Sequence, residues 1–131
     1  MDIDKLAWLH VDHRKVLMAR SQGKVLFYLP GGKRDPGESD AEALAREIRE
    51  ELGVELDTSS LQFAGTFIDQ ADGKPDGVRV RLTAYFGAHR GMITAQSEIE
   101  ELAWMNSADA PRCSLTGRQV LDWLTAQRLI D

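Results

Sequence analysis

Residues 31–54 read GGKRDPGESDAEALAREIREELGV, and the middle of this stretch decides the architecture around it. Ala41, Leu44, Ala45, Ile48 and Leu52 recur at spacings of three and four, which predicts an amphipathic helix with one buried stripe. Ser39, with Glu42 three residues later, is a capping-box pair, and Gly53 is suited to stop the helix just past Leu52. Before it, Pro30-Gly31-Gly32 and Pro36-Gly37 break any regular period, so a loop is expected up to Gly37.

The other flank of this helix is not what folding alone selects. Glu47, Glu50 and Glu51 are expected within a quarter to a third of the circumference, away from the Leu44/Ile48/Leu52 stripe. Like charges at spacings of three and four repel by roughly a few tenths of a kcal/mol per pair. The last turns are also the negative end of the helix dipole. A hard divalent cation relieves both penalties, and oxygen ligands on a rigid face suit Mg²⁺ or Mn²⁺. Three glutamates by themselves are more often a solvated face, with Arg46 and Arg49 as surface partners.

Outward from the helix the period becomes that of strands. Residues 3–10 and 15–19 carry short apolar runs around a polar turn at Asp12–Lys15, and Val25 to Leu29 is a further strand candidate. Leu61 to Ile68 and Val78 to Phe86 are expected strands, separated by the turn-rich Asp72–Gly77. In the second of these, Val80, Leu82, Ala84 and Phe86 alternate with Arg79, Arg81, Thr83 and Tyr85. Glu101 to Met105 reads as a last short strand and Thr116 to Leu129 as a closing helix. Strands before, between and after two helices predict an α/β or α+β layered fold.

Composition bounds the function. The chain has 131 residues, 43% of them hydrophobic and 28% charged, which is one domain's worth of ordinary globular sequence over 1–131. A net charge of −5 argues against a nucleic-acid surface as the main business. The single Cys113 excludes an intrachain disulfide and every multi-cysteine zinc pattern. Asp2 and Asp4 stand where an export signal would carry positive charge, and no apolar run reaches membrane-span length, so a cytoplasmic setting is expected.

Gly32, five residues, Glu38, seven residues, then Arg46-Glu47-Ile48-Arg49-Glu50-Glu51-Leu52-Gly53-Val54 resembles the Nudix box at every defining position. The flanks agree. Leu29-Pro30-Gly31-Gly32 leads into the box, and Glu98-Ile99-Glu100-Glu101-Leu102-Ala103-Trp104 resembles the family's downstream Glu-rich segment ending in Trp. The resemblance implies an α/β/α sandwich with a mixed β-sheet between helices, the box at 32–54 forming loop, helix and loop. It implies metal-dependent hydrolysis of a nucleoside diphosphate linked to another moiety, a nucleoside triphosphate being the default for a small MutT-like chain. The alternative is a non-catalytic Nudix domain that binds a nucleotide or metabolite.

Carried onto this sequence, the resemblance makes Glu47, Glu50 and Glu51 the ligands of Mg²⁺ or Mn²⁺, helped by a backbone carbonyl of Gly31 or Gly32. Glu38 would stand behind them and orient the site. Arg46 would pair with a glutamate of the cluster and hold its geometry. For the general base, Glu47 or Glu50 comes first and Glu98 second. Lys33 and Arg34 are expected phosphate contacts, and Arg79 and Arg81 are candidates if their strand face meets the pocket. His10, His13 and His89 have no ligand spacing, and Trp104 and Trp123 are expected in the core. The expected partner is a small nucleotide-type substrate, with no stable nucleic-acid complex, no membrane, and a homodimer left open.

Overall fold

Helix α1 spans Asp40–Leu52, and its ends are built as the sequence predicts. The Ser39 hydroxyl accepts from the Glu42 N–H at 3.2 Å, while the Glu42 carboxylate accepts from the Ser39 N–H at 2.9 Å. Gly53 closes the helix at φ 69°, its N–H donating to the Arg49 carbonyl. Ser39→Ala leaves that Glu42 N–H without its side-chain acceptor. It should cost about 1 kcal/mol of stability, read by urea unfolding.

The computed structural model describes residues 2–131. Strands β1 (Asp2–Leu9), β2 (Val11–Asp12), β3 (Lys15–Ser21) and β4 (Gly31–Lys33) precede α1. Strands β5 (Glu55–Leu56), β6 (Gln62–Gln70), β7 (Arg79–Phe86), β8 (His89–Arg90) and β9 (Ile99–Met105) follow it, and α2 (Leu115–Ala126) comes last. The main sheet has the order β4-β1-β7-β6. It is mixed: β1 runs parallel to β7, while the β1–β4 and β6–β7 pairs are antiparallel. A second sheet, β2-β3-β9, is antiparallel, and β5 pairs with β8.

Alternation along β1 explains the layering. Leu6 and Trp8 point to one face and pack with Leu44, Ile48 and Leu52 of α1. Ala7 and Leu9 point to the other and pack with Val120, Leu121 and Leu124 of α2. Strands therefore lie between two helices, each contributing one apolar stripe. That is the α/β/α sandwich expected from the sequence.

Two local expectations need correction. Residues 25–29 form no strand: Tyr28 bridges Ala19 while Phe27 bridges Cys113, so the segment stitches two neighbours rather than lying along one. The strand sits further on, at Gly31–Lys33, because these glycines fit the edge of β1. Trp104 is 41% exposed rather than core, its ring resting 5.4 Å from that of His10 at the rim of the α1 face. Trp123 does pack against the α2-side core. Among the described residues no helix is long and apolar enough to cross a membrane.

Candidate active site

The three box glutamates are not equivalent. Glu51 is 4% exposed, and its Oε1 accepts from the Gly31 N–H at 2.9 Å. Burial is the main cause that pushes its carboxyl up to about 8, with the charges of Glu47 and Glu98 adding to it. Burial likewise raises Glu47, against the pull of Arg46. Glu50 is half exposed. The expected placement of all three away from the apolar stripe is thus corrected for Glu51, which lies buried within it.

Arg46 ties the cluster together. Its guanidinium donates to both oxygens of Glu38, at 2.7 and 2.9 Å, to Glu47 at 2.9 Å and to the Lys33 carbonyl at 3.0 Å. Glu50 lies farther, at 3.4 Å. Glu38 also accepts from the Asp35 N–H. With Arg46 its first cause, this network holds the Glu38 carboxyl at about 2. Glu38 therefore braces the loop before the helix and fixes the arginine that touches Glu47.

Glu98 reaches the cluster from the other side. The loop ahead of β9 is docked on the end of α1 by backbone bonds, Thr94 N–H to Leu52 carbonyl at 3.0 Å and Gln96 N–H to Glu51 carbonyl at 2.9 Å. The negative charge of Glu98 contributes to the raised pKa of both Glu47 and Glu51.

Glycine is required beside these carboxylates. A Cβ on Gly32 would stand 2.5 Å from the Glu47 carboxyl carbon, and one on Gly31 would stand 2.0 Å from the Leu6 carbonyl oxygen. Among the described residues, no three His, Cys, Asp or Glu side chains stand gathered as a closed metal cluster. The donor chemistry nevertheless fits a hard cation: all-oxygen groups, two desolvated carboxylates held close, and a cradle beside Gly32 that a side chain would fill.

A cavity of about 350 Å³ opens beside Gly31 and Gly32 on the opposite face of the main sheet from α1. Ile3, Leu26, Val80 and Leu82 give it an apolar wall, and Lys33 lines it. Lys5, which sequence reasoning missed, lines it too. The signal was available: along Ile3, Lys5, Ala7 and Leu9, it is the single charge on an apolar face of β1.

Arg79 and Arg81 do not line this cavity, because their register with Asp2 and Asp4 on β1 puts them on the α1 face. Arg79 is bound instead to Asp2 at 2.9 Å. Arg79→Ala should leave KM within about twofold, or ~0.4 kcal/mol, and as an exposed pair change stability by less than ~1 kcal/mol. A KM rise of tenfold would put Arg79 back in the site. Arg34, expected on phosphate, is held by Asp40 at 2.6 Å and Asp4 at 3.2 Å, where it anchors the box loop to β1 and α1. Tyr85 donates to Asp40 from the same face. His10 and His89 come together with Trp8 in a ring cluster, with centroids 4.6 to 5.3 Å apart.

Comparison with known proteins shows the family and the fold. The model of the NUDIX domain matches residues 6–124. A NAD-capped RNA hydrolase NudC of Pseudomonas putida is 32% identical over 113 residues, covering 84% of this chain and 38% of that protein. A nucleoside triphosphatase NudI of an Enterobacter species is 34% identical over 85 residues, covering 59% of each. The chain spans about two-fifths of the length of the NudC proteins it matches. Among solved structures, the E. coli ORF135 protein superposes with a TM-score of 0.75 at 25% identity, covering 97% of this chain and 91% of that one. A MutT NUDIX hydrolase from Burkholderia pseudomallei has a TM-score of 0.79 at 22% identity, covering 95% and 98%. With the box complete in sequence and the family model matched over residues 6–124, the chain belongs to the NUDIX domain family.

Proposed function

We propose that this chain hydrolyses a pyrophosphate bond in a nucleoside diphosphate derivative, with a nucleoside triphosphate as the first candidate and Mg²⁺ or Mn²⁺ as cofactor. The observation that carries the reading is Glu51, buried on the Gly31 N–H beside Glu47, with Arg46 fixing the neighbouring loop. Glu47, Glu50 and Glu51, with a carbonyl of Gly31 or Gly32, would hold the metal. When bound, it supplies charge neutralisation on the phosphoryl oxygens and a more acidic water.

The residues of the chain do the rest. Glu47, whose desolvated carboxylate takes a proton more readily than an exposed one, is the first choice of base at its Oε atoms. Glu50 stays beside it as an equal candidate, and Glu98 is the second choice from the β9 loop. Glu38 and Arg46 position and do not touch substrate. The apolar wall of the cavity would take the nucleoside, and Lys33 a phosphate.

The same reading treats residues 1–131 as one catalytic domain working in the cytoplasm on a small nucleotide, without a lasting nucleic-acid partner. The names of the relatives put triphosphates and NAD on the same test. A phosphate-release screen over nucleoside triphosphates, diphosphates, NAD, ADP-ribose and nucleotide sugars, with Mg²⁺ or Mn²⁺, should give turnover on a triphosphate and none in EDTA. Tight binding with no turnover on any compound would favour the binding-only alternative.

A further inference from the structure

Strand β6 ends at Gln70, and the loop that follows turns the chain back into β7 at Arg79. Gln70, Ala71, Asp72 and Lys74 border the cavity beside Gly31 and Gly32. The same residues, with Gly73 and Asp76, border a second hollow of about 260 Å³. Within residues 71–77 Ala71 is the one buried side chain. Gly73 and Gly77, at φ 70° and 91°, give the segment further backbone freedom. A loop that borders two hollows and buries one side chain is not held by packing.

One side chain holds it instead. The Gln70 carboxamide Nε2 donates to the carbonyls of Pro75 at 2.9 Å, Lys74 at 3.2 Å and Ala71 at 3.3 Å. Its Oε1 accepts from the Gly77 N–H at 3.0 Å. Both ends of the amide are therefore spent on the loop's backbone. The bonds to Lys74, Pro75 and Gly77 lie at the exposed surface, where water would serve as well, so folding gains little from them. Fixing the glutamine also costs rotamer entropy. What the arrangement achieves is a loop with one shape before any ligand arrives.

We propose that Gln70 is a positioning residue: its carboxamide holds residues 71–77 as a preformed rim of the cavity, and so sets ligand affinity through Asp72 and Lys74. The inference rests on the reading of that cavity as the place where the nucleotide binds. A rim already in shape spares the complex the entropy of ordering it. Losing the clamp then weakens binding in the ground and transition states alike, so KM moves and kcat does not.

Amide exchange by NMR and steady-state kinetics on the full chain test the clamp and its consequence separately. In Gln70→Ala the Gly77 amide should exchange with solvent at least about tenfold faster, while the amides of α1 stay protected. KM on the best substrate of the screen should rise about five- to tenfold, with kcat within about twofold. Gln70→Glu keeps an oxygen for the Gly77 N–H but turns another toward the carbonyls, so it should lose affinity as well. Being the same length, it carries the test if Gln70→Ala does not fold. Gln62→Ala, at the far end of β6, should change neither reading. If no compound turns over, the hydrolase reading fails, and the Kd of ADP titrated in EDTA replaces KM, with the same rise expected. Equal Gly77 exchange in wild type and Gln70→Ala would overturn the proposal. So would a freed loop with KM and ADP affinity unchanged, a fall in kcat alone, an affinity restored by Gln70→Glu, or a wild type that binds no ADP in that titration.

Discussion

Glu51→Gln is expected to reduce turnover at saturating Mg²⁺ by about 100-fold or more, beyond the 10- to 100-fold seen when only an outer partner of a metal is lost. It should do so in a folded protein. Glutamine keeps the oxygen that accepts from the Gly31 N–H and removes the charge that burial disfavours. The ordinary carboxyl value is 4.5, and that of Glu51 in the fold is pushed up to about 8. The native state therefore holds this proton more tightly than the unfolded chain. The stability this gives is fully present below pH 4.5 and is lost as pH rises through about 8. The metal-free variant should match wild type at pH 4–5 and exceed it at pH 9, by on the order of 3 kcal/mol. Urea unfolding in EDTA at the two pH values reads the difference. Undiminished turnover at saturating metal would end the assignment of Glu51, and a stability gap independent of pH would mean its burial is not what shifts it.

The second large effect belongs to the glycines. Gly31 has φ 144°, and a Cβ there would overlap the Leu6 carbonyl at 2.0 Å, which is rigid backbone inside the β1–β4 pair. Gly31→Ala should cost about 3 kcal/mol or more, since β4 must pull away from β1. Gly32→Ala is different. Its Cβ would meet the end of the Glu47 side chain at 2.5 Å, a group that can turn aside. Stability should fall by no more than ~1 kcal/mol, while kcat should fall at least tenfold because Glu47 is displaced. Gly23→Ala, with φ 76° and nothing within 4 Å, is the comparison. It should cost about 1 kcal/mol from backbone strain and leave kcat alone. If Gly32→Ala and Gly23→Ala gave the same small loss of activity, the box glycines would only make a bend.

How much of this was legible in the sequence differs from residue to residue. The ends of α1 were readable because caps act locally: Ser39, Glu42 and Gly53 need no tertiary partner to declare themselves. The strands of the main sheet were readable from the apolar run in β1 and the alternation in β7. The segment at residues 25–29 was not, since its apolar run reflects burial of Phe27 and Leu29 between elements remote in sequence. Glu51 could have been placed better. At 100° per residue it lies about 20° from Leu44, inside the apolar stripe rather than beside it. Arg79 and Arg81 illustrate the opposite limit. Alternation put them on one face correctly, but which face meets the cavity depends on where α1 packs, and no local pattern carries that. Lys5 was hidden for the same reason: the cavity it lines is closed by residues remote in sequence that the fold brings to it.

The central claim is that the box glutamates form one cation site at the end of α1. Mn²⁺ titration followed by the loss of its free paramagnetic signal tests that directly, on wild type, Glu51→Gln and, as a control for helix charge, Glu42→Gln. Wild type and Glu42→Gln should take up Mn²⁺ alike, with Mg²⁺ competing, while Glu51→Gln should bind at least tenfold more weakly. Equal Mn²⁺ uptake by wild type and Glu51→Gln would contradict the account.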